Sequence, residues 1–167
     1  MFLQSETIKG VVTLRPLLGV TRAEIERDVH QLLGLVAQAY VVMVPGAEYG
    51  PAKRWPAAHF AELAQRLALP VLLLGSGKEA ALCEEIAAAA PGRCLNFAGK
   101  TTLDQALCAI AATKSIVSND SGLMHVAAAF GVPQVALFGS SSPLHTPPLN
   151  DRAQVVWLKS DAAYQPP

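Results

Sequence analysis

Residues 117–133 read VSNDSGLMHVAAAFGVP, an apolar lead-in and an apolar exit around Ser118, Asn119, Asp120, Ser121 and Gly122, with His125 one turn further on. A helix start needs one capping side chain, and four polar residues in a row exceed that need. Gly122 carries no side chain, so a ligand can approach the backbone N–H groups there. His125 can donate to a phosphate oxygen. Asp120 would repel a phosphate set directly beside it and suits hydrogen bonds from sugar hydroxyls instead. The plainer alternatives stay open: Asn119, Asp120 or Ser121 as an ordinary helix cap, and His125 as a partly buried, satisfied histidine.

A second polar stretch, PGAEYGPAKRWP at 45–56, also follows an apolar run. It places Lys53 and Arg54 just ahead of a helix opened by Pro56. A helix N-terminus presents unpaired N–H groups and a partial positive charge, so two cations beside it make a candidate phosphate or diphosphate site; otherwise they are solvated surface residues. Two familiar phosphate loops are excluded. No G-x-G-x-x-G follows the first strand. GSGK at 75–78 resembles a Walker tail, but the motif's first glycine would fall on Leu72, and Glu79 stands where a hydroxyl is required. That stretch reads as a turn whose Glu79 either reaches a ribose or serves the first turn of a helix. A third loop, FGSSSPLHTPP at 138–148, offers Ser140, Ser141, Ser142 and Thr146 as small donors, or is an ordinary surface turn. No Asp-x-Asp pair offers oxygens to a metal, and neither a metal nor a cofactor is expected.

The elements that must position these residues are legible from periodicity. Thr21 to Glu24 reads as a capping box, followed by an apolar stripe of Ile25, Val29, Leu32, Leu33 and Val36. Strands are expected at 40–44, 70–75, 94–99, 114–118, 133–139 and 153–158. Helices are expected after Pro56 (stripe Phe60, Leu63, Ala64, Leu67), over 79–90, after a second capping box at Thr102 to Gln105, and through Leu123, Val126, Ala127 and Phe130 to a stop at Gly131 and Pro133. Strands that alternate with helices and are continuously apolar mean a parallel sheet covered on both faces. The expected fold is α/β, a doubly wound Rossmann-like domain over 39–160, with 1–38 as an extension carrying one helix and 161–167 as a tail. Ligands of such sheets lie beyond the carboxyl ends of the strands, where all three polar loops fall.

The 167 residues suffice for one domain, 51% of them are apolar, and 13 basic residues balance 13 acidic ones. No global field recruits nucleic acid, so an anionic ligand needs a local cluster. Cys83, Cys94 and Cys108 form no C-x-x-C pair and read as reduced thiols of a cytoplasmic protein, ahead of a metal site or a disulfide. No apolar run is long enough for a membrane span, and the opening MFLQSETIKG lacks the basic end and apolar core of a signal peptide.

PGAEYGPAKRWP, LNFAGKTTLDQ, VSNDSGLMHVAAAFGVPQVALFGSSSP and HTPPL occur in order and together resemble the ADP-heptose:lipopolysaccharide heptosyltransferases, from about Val41 to Leu158; the first of them favours members that add the second heptose. The resemblance implies an inverting glycosyltransferase of GT-B type, two Rossmann-like halves facing a cleft. This chain is similar to the carboxyl-terminal, donor-binding half. The other half would bind the lipid acceptor and supply the catalytic base, so this chain alone is expected to be inactive. Lys53 would contact the donor diphosphate and stabilise the leaving group. Asp120, Ser121, Gly122, Leu123 and His125 would line the heptose and phosphate pocket, Glu48 and Tyr49 would flank the donor, and Glu79 would serve the nucleoside. The donor would be ADP-heptose, with no further cofactor, and the location cytoplasmic with peripheral contact to the inner membrane. A homodimer through the exposed cleft surface is a further expectation. Two other readings compete: a nucleotide-binding module without catalysis, and a Rossmann-like domain for an unrelated small ligand.

Overall fold

The computed structural model describes residues 21–48 and 51–157. The extension and tail expected at the two ends lie largely outside that range. The elements run α1 (Arg22–Leu33), β1 (Val41–Val44), α2 (Ala57–Arg66), β2 (Val71–Leu73), α3 (Ala80–Ala89), β3 (Cys94–Asn96), α4 (Leu103–Ala112), β4 (Ser115–Asn119), α5 (Gly122–Ala129), β5 (Gln134–Phe138) and β6 (Ala153–Trp157). Single 3-10 turns at Pro51–Lys53 and Gly77–Glu79 precede α2 and α3. All strand pairs are parallel, in the order β3-β2-β1-β4-β5-β6. The order reverses between β1 and β4, so the crevice lies there.

Local chemistry starts the helices where the sequence places them. In α1, Glu24 N–H donates to Thr21 Oγ1 (3.3 Å) while Thr21 N–H donates to Glu24 Oε2 (2.7 Å). In α4, Thr102 and Gln105 exchange the same pair of bonds, at 3.3 and 2.9 Å. Each box satisfies two N–H groups that a helix start otherwise leaves unpaired. The stripe expected to run to Val36 stops earlier: Gly34 adopts φ +63° as the C-cap of α1, and Val36 beyond it is 63% exposed.

The period-two alternation of each strand feeds two cores. On one face Val42, Val44, Leu72, Leu74 and Ile116 pack under Ile25 and Val29 of α1, Ala109 and Ile110 of α4, and Ala127 of α5. On the other, Met43, Val71 and Leu73 pack under Phe60, Ala61 and Ala64 of α2 and Cys83 and Ile86 of α3. A fully buried side chain of this size contributes about 1.5–3 kcal/mol. Cover on both faces holds at the middle of the sheet and fails at both edges: Leu95 on β3 is 42% exposed, and Val155 and Val156 on β6 are 42% and 41% exposed. The three cysteines are free thiols; Cys83 is buried, and Cys94 and Cys108 are half-buried.

One polar knot decides that β4 lands beside β1. Tyr40, fully buried, donates from its hydroxyl to Ala109 O in α4 at 2.6 Å. Thr113 Oγ1, just past α4, donates to Tyr40 O at 2.9 Å, and Lys114 N–H donates to the same carbonyl at 3.0 Å. Gln38 Nε2 donates to Ala112 O and Thr113 O, at 3.1 and 2.8 Å. The end of α4 is therefore fastened to the entry of β1, and the chain has to continue as β4 along its free edge.

Tyr40→Phe removes the buried donor and leaves a helix carbonyl one partner short. It should lower stability by about 1 kcal/mol, read as a fall in the urea midpoint with an unchanged slope. Burial, helped by the Glu79 charge, pushes the Cys83 thiol up to about 12. An unfolded cysteine ionises near ~8.5, so the folded state keeps a proton that the unfolded state loses. Stability should fall as pH rises above that value and keep falling toward 12. Cys83→Ala should flatten the decline between about pH 8.5 and 10; an equal slope in the variant would contradict this.

Candidate functional site

The reversal of strand order brings the ends of β1 and β4 together, and the two polar stretches with them. Lys53, on the short turn Pro51–Lys53, reaches across and places Nζ 2.8 Å from Asp120 Oδ2. The lysine side chain is 23% exposed and the aspartate 9%. Both charges are partly out of water, which strengthens their mutual attraction at the cost of desolvating each. Asp120 N–H donates to Leu137 O at 3.1 Å, so the aspartate is also tied to β5. Sequence reasoning kept Asp120 apart from the phosphate side of the crevice; the structure puts its carboxylate directly on Lys53.

The sequence left Asn119 open as a helix cap or as one of several polar groups for a ligand. Asn119 caps no helix. Its side chain is fully buried and links the two ends of the 45–55 loop: Oδ1 accepts from Trp55 N–H at 3.0 Å, and Nδ2 donates to Pro45 O at 2.7 Å. Inside that loop Arg54 Nη2 donates to Ala47 O at 3.4 Å. Trp55 stacks on His59 and meets Phe60 edge-on, with centroids 5.3 and 5.0 Å apart, and this anchors the start of α2.

Ser121 occupies the N-cap position of α5 in extended conformation (φ −149°, ψ 164°) without making a side-chain cap bond. Its Oγ is buried and has no hydrogen-bond partner, as are Ser118 Oγ and Ser141 Oγ. Buried hydroxyls without partners are uncommon in folded proteins, and these three lie at the ends of β4 and β5. The first bond closing the helix runs from Met124 N–H to Ser121 O, at 3.1 Å. The N–H groups of Gly122 and Leu123 therefore precede the intrahelical ladder, as at any helix start. A Cβ at Gly122 would meet nothing within 4 Å. Leu123 packs its half-buried side chain against the core, so it can serve a ligand only through its backbone. His125 is exposed on α5.

Glu79 lies where the ends of β1 and β2 meet. It closes a capping box, accepting from Ser76 N–H at 2.8 Å through Oε2. A Cβ at Gly46 would lie 2.5 Å from Glu79 Cγ, and one at Gly75 2.9 Å from Glu79 Cβ. These two glycines are what let the carboxylate side chain lie across the strand ends. Glu48 is exposed at the end of the described part of its loop, and Tyr49 lies outside the described residues. In the third loop Ser142 Oγ accepts from Leu144 N–H at 3.3 Å, as a surface turn requires, and Ser140 and Thr146 are exposed.

The arrangement can hold an anion: one cation and a helix start at a strand-order reversal. It also carries a carboxylate able to accept from hydroxyl groups. Comparison with known proteins agrees with that chemistry. Lipopolysaccharide heptosyltransferase 2 of Escherichia coli (strain K12) is 48% identical over 152 residues, which are 87% of this chain and 44% of that protein. Lipooligosaccharide heptosyltransferase 2 of Haemophilus influenzae is 42% identical over 159 residues, 90% of this chain and 45% of that one. Among solved structures, that of E. coli ADP-heptose lps heptosyltransferase II matches with a TM-score of 0.77 and 48% identity, over 82% of this chain and 44% of that one. The chain thus spans less than half the length of these relatives. The model of glycosyltransferase family 9 (heptosyltransferase) matches residues 13–165, and on that match the chain belongs to glycosyltransferase family 9.

Proposed function

We propose that this chain binds the ADP-heptose donor of an inverting transfer of heptose to the inner core of lipopolysaccharide, and that the diphosphate lies between β1 and β4. The observation that carries the reading is the 2.8 Å contact of Lys53 with Asp120 across the strand-order reversal. It puts a cation for the diphosphate and an acceptor for sugar hydroxyls within one short span. The names of the relatives, two of them lipopolysaccharide or lipooligosaccharide heptosyltransferases and one an ADP-heptose enzyme, support the same donor and acceptor.

In this reading the acceptor hydroxyl oxygen bonds to the anomeric carbon from the face opposite the diphosphate. The bond from that carbon to the diphosphate oxygen breaks, and its electron pair leaves with ADP. The hydroxyl proton goes to a carboxylate base supplied with the acceptor-binding half, outside this chain. Negative charge builds on the diphosphate as the bond opens. In this reading Lys53 Nζ exchanges Asp120 for the diphosphate and stabilises it, as do the N–H groups of Gly122 and Leu123, which need no reorganisation; Ser121, whose Oγ is buried, and His125, exposed on α5, belong to the same pocket. Asp120 accepts from heptose hydroxyls, Glu79 accepts from a ribose hydroxyl through its second oxygen, and Glu48 and Tyr49 flank the donor. Among the described residues no helix is long and apolar enough to cross a membrane. Reaction with a lipid acceptor would therefore bring this domain to the cytoplasmic face of the inner membrane from the side.

Two binding experiments follow from this chemistry. Lys53→Ala should weaken ADP roughly 10- to 100-fold, the value of a hydrogen bond to a charged group, while the circular dichroism spectrum stays unchanged. Equal ADP affinity in calorimetry would remove Lys53 from the site. Asp120→Asn should separate the two parts of the donor: ADP binds as well as before or better, because a repelling charge is gone, whereas ADP-heptose loses affinity. A variant that weakens ADP and ADP-heptose alike would contradict the division of roles.

A further inference from the structure

We propose that Asn119 is a positioning residue for the diphosphate site, acting through Lys53 and touching no part of the donor. The proposal rests on the donor reading above. One buried amide holds both ends of the loop that carries Lys53: Trp55 N–H at 3.0 Å and Pro45 O at 2.7 Å, the two contacts being 64 and 74 residues away in sequence. The next residue, Asp120, just past the end of β4, holds the lysine itself at 2.8 Å. Two consecutive side chains at the end of β4 thus fix the loop's frame and the direction of its cation.

The chemistry of the two partners selects asparagine. Trp55 N–H can only donate and Pro45 O can only accept, so the group between them needs one acceptor and one donor, which also settles the orientation of the amide. The site is fully buried, so a carboxylate there would place an uncompensated charge beside Pro45 O, at heavy cost. An apolar residue would leave both main-chain groups without partners. A shorter hydroxyl can reach one of them. The amide closes the loop with no net charge, so it adds only a dipole to the field at the diphosphate and acts on it chiefly by where Lys53 is held. Mispositioning of a binding group by as little as ~1 Å is costly at such sites.

The test is a double-mutant cycle on the whole chain, with ADP affinity measured by calorimetry. Asn119→Ala should bind ADP roughly tenfold more weakly than the wild type, and in a Lys53→Ala background the same change should cost less than about twofold. That loss of additivity marks action through the lysine; a merely structural role would lower affinity equally in both backgrounds. Equal affinity of Asn119→Ala and wild type, or a full tenfold loss that persists without Lys53, would overturn the proposal. Failure of the wild type to bind ADP would overturn the donor reading, and this proposal with it. If Asn119→Ala does not fold, Asn119→Ser enters the same cycle with the same expectation. One measurement needs no variant. The Trp55 amide should be protected from hydrogen exchange in the wild type without nucleotide, and exchange at the rate of a free peptide would overturn the clamp.

Discussion

The whole site depends on β4 running alongside β1. That pairing covers Val41 to Val44 against Ser115 to Ser118 and delivers Asn119 and Asp120 to the rim just where the loop from β1 begins. It is enforced from the opposite end of the sheet. Tyr40 and Gln38 fasten the end of α4 to the start of β1, and Thr113 and Lys114 return bonds to Tyr40 O. Without that knot the crossover from β3 has no fixed landing point. With it, a strand-order reversal opens a crevice at the carboxyl ends, in the place where sheets of this kind hold ligands.

At the rim, electrostatics and geometry share the work unequally. The ion pair of Lys53 with Asp120 is partly buried, so salt screens it less than a surface pair, yet both partners keep enough access to exchange contacts with a ligand. A diphosphate offers the lysine more negative charge than one carboxylate does. In the proposed reading Asp120 is a resting partner that holds the cation in the crevice. The neutral clamp of Asn119 does a different job, since it fixes the loop whatever the lysine is bound to. The helix start at Gly122 adds N–H groups whose direction is set by the backbone and costs nothing to reorganise.

What could be read from the sequence was what is local. The capping boxes at Thr21 and Thr102 involve partners three residues apart, and the strand alternations sort themselves by period. The turn at 75–79, its Glu79 and the polar loops at strand ends were legible for the same reason. The stripe through α1 overran because apolar period continues past Gly34, and only the left-handed backbone there ends the helix. The role of Asn119 stayed open because its partners lie 64 and 74 residues away; seen locally, an asparagine before a helix is only a cap candidate. Asp120 was kept from the phosphate side by a rule about repulsion; its contact with Lys53, 67 residues back in the chain, is not legible locally. Motif resemblance carried the family because it draws on several such distant segments at once.

A structure of the chain with ADP-heptose tests the central claim most directly. The account predicts diphosphate oxygens within about 3 Å of Lys53 Nζ and facing the N–H groups of Gly122 and Leu123, with heptose hydroxyls toward Asp120. A donor seated elsewhere on the sheet, with Lys53 still held by Asp120, would contradict it.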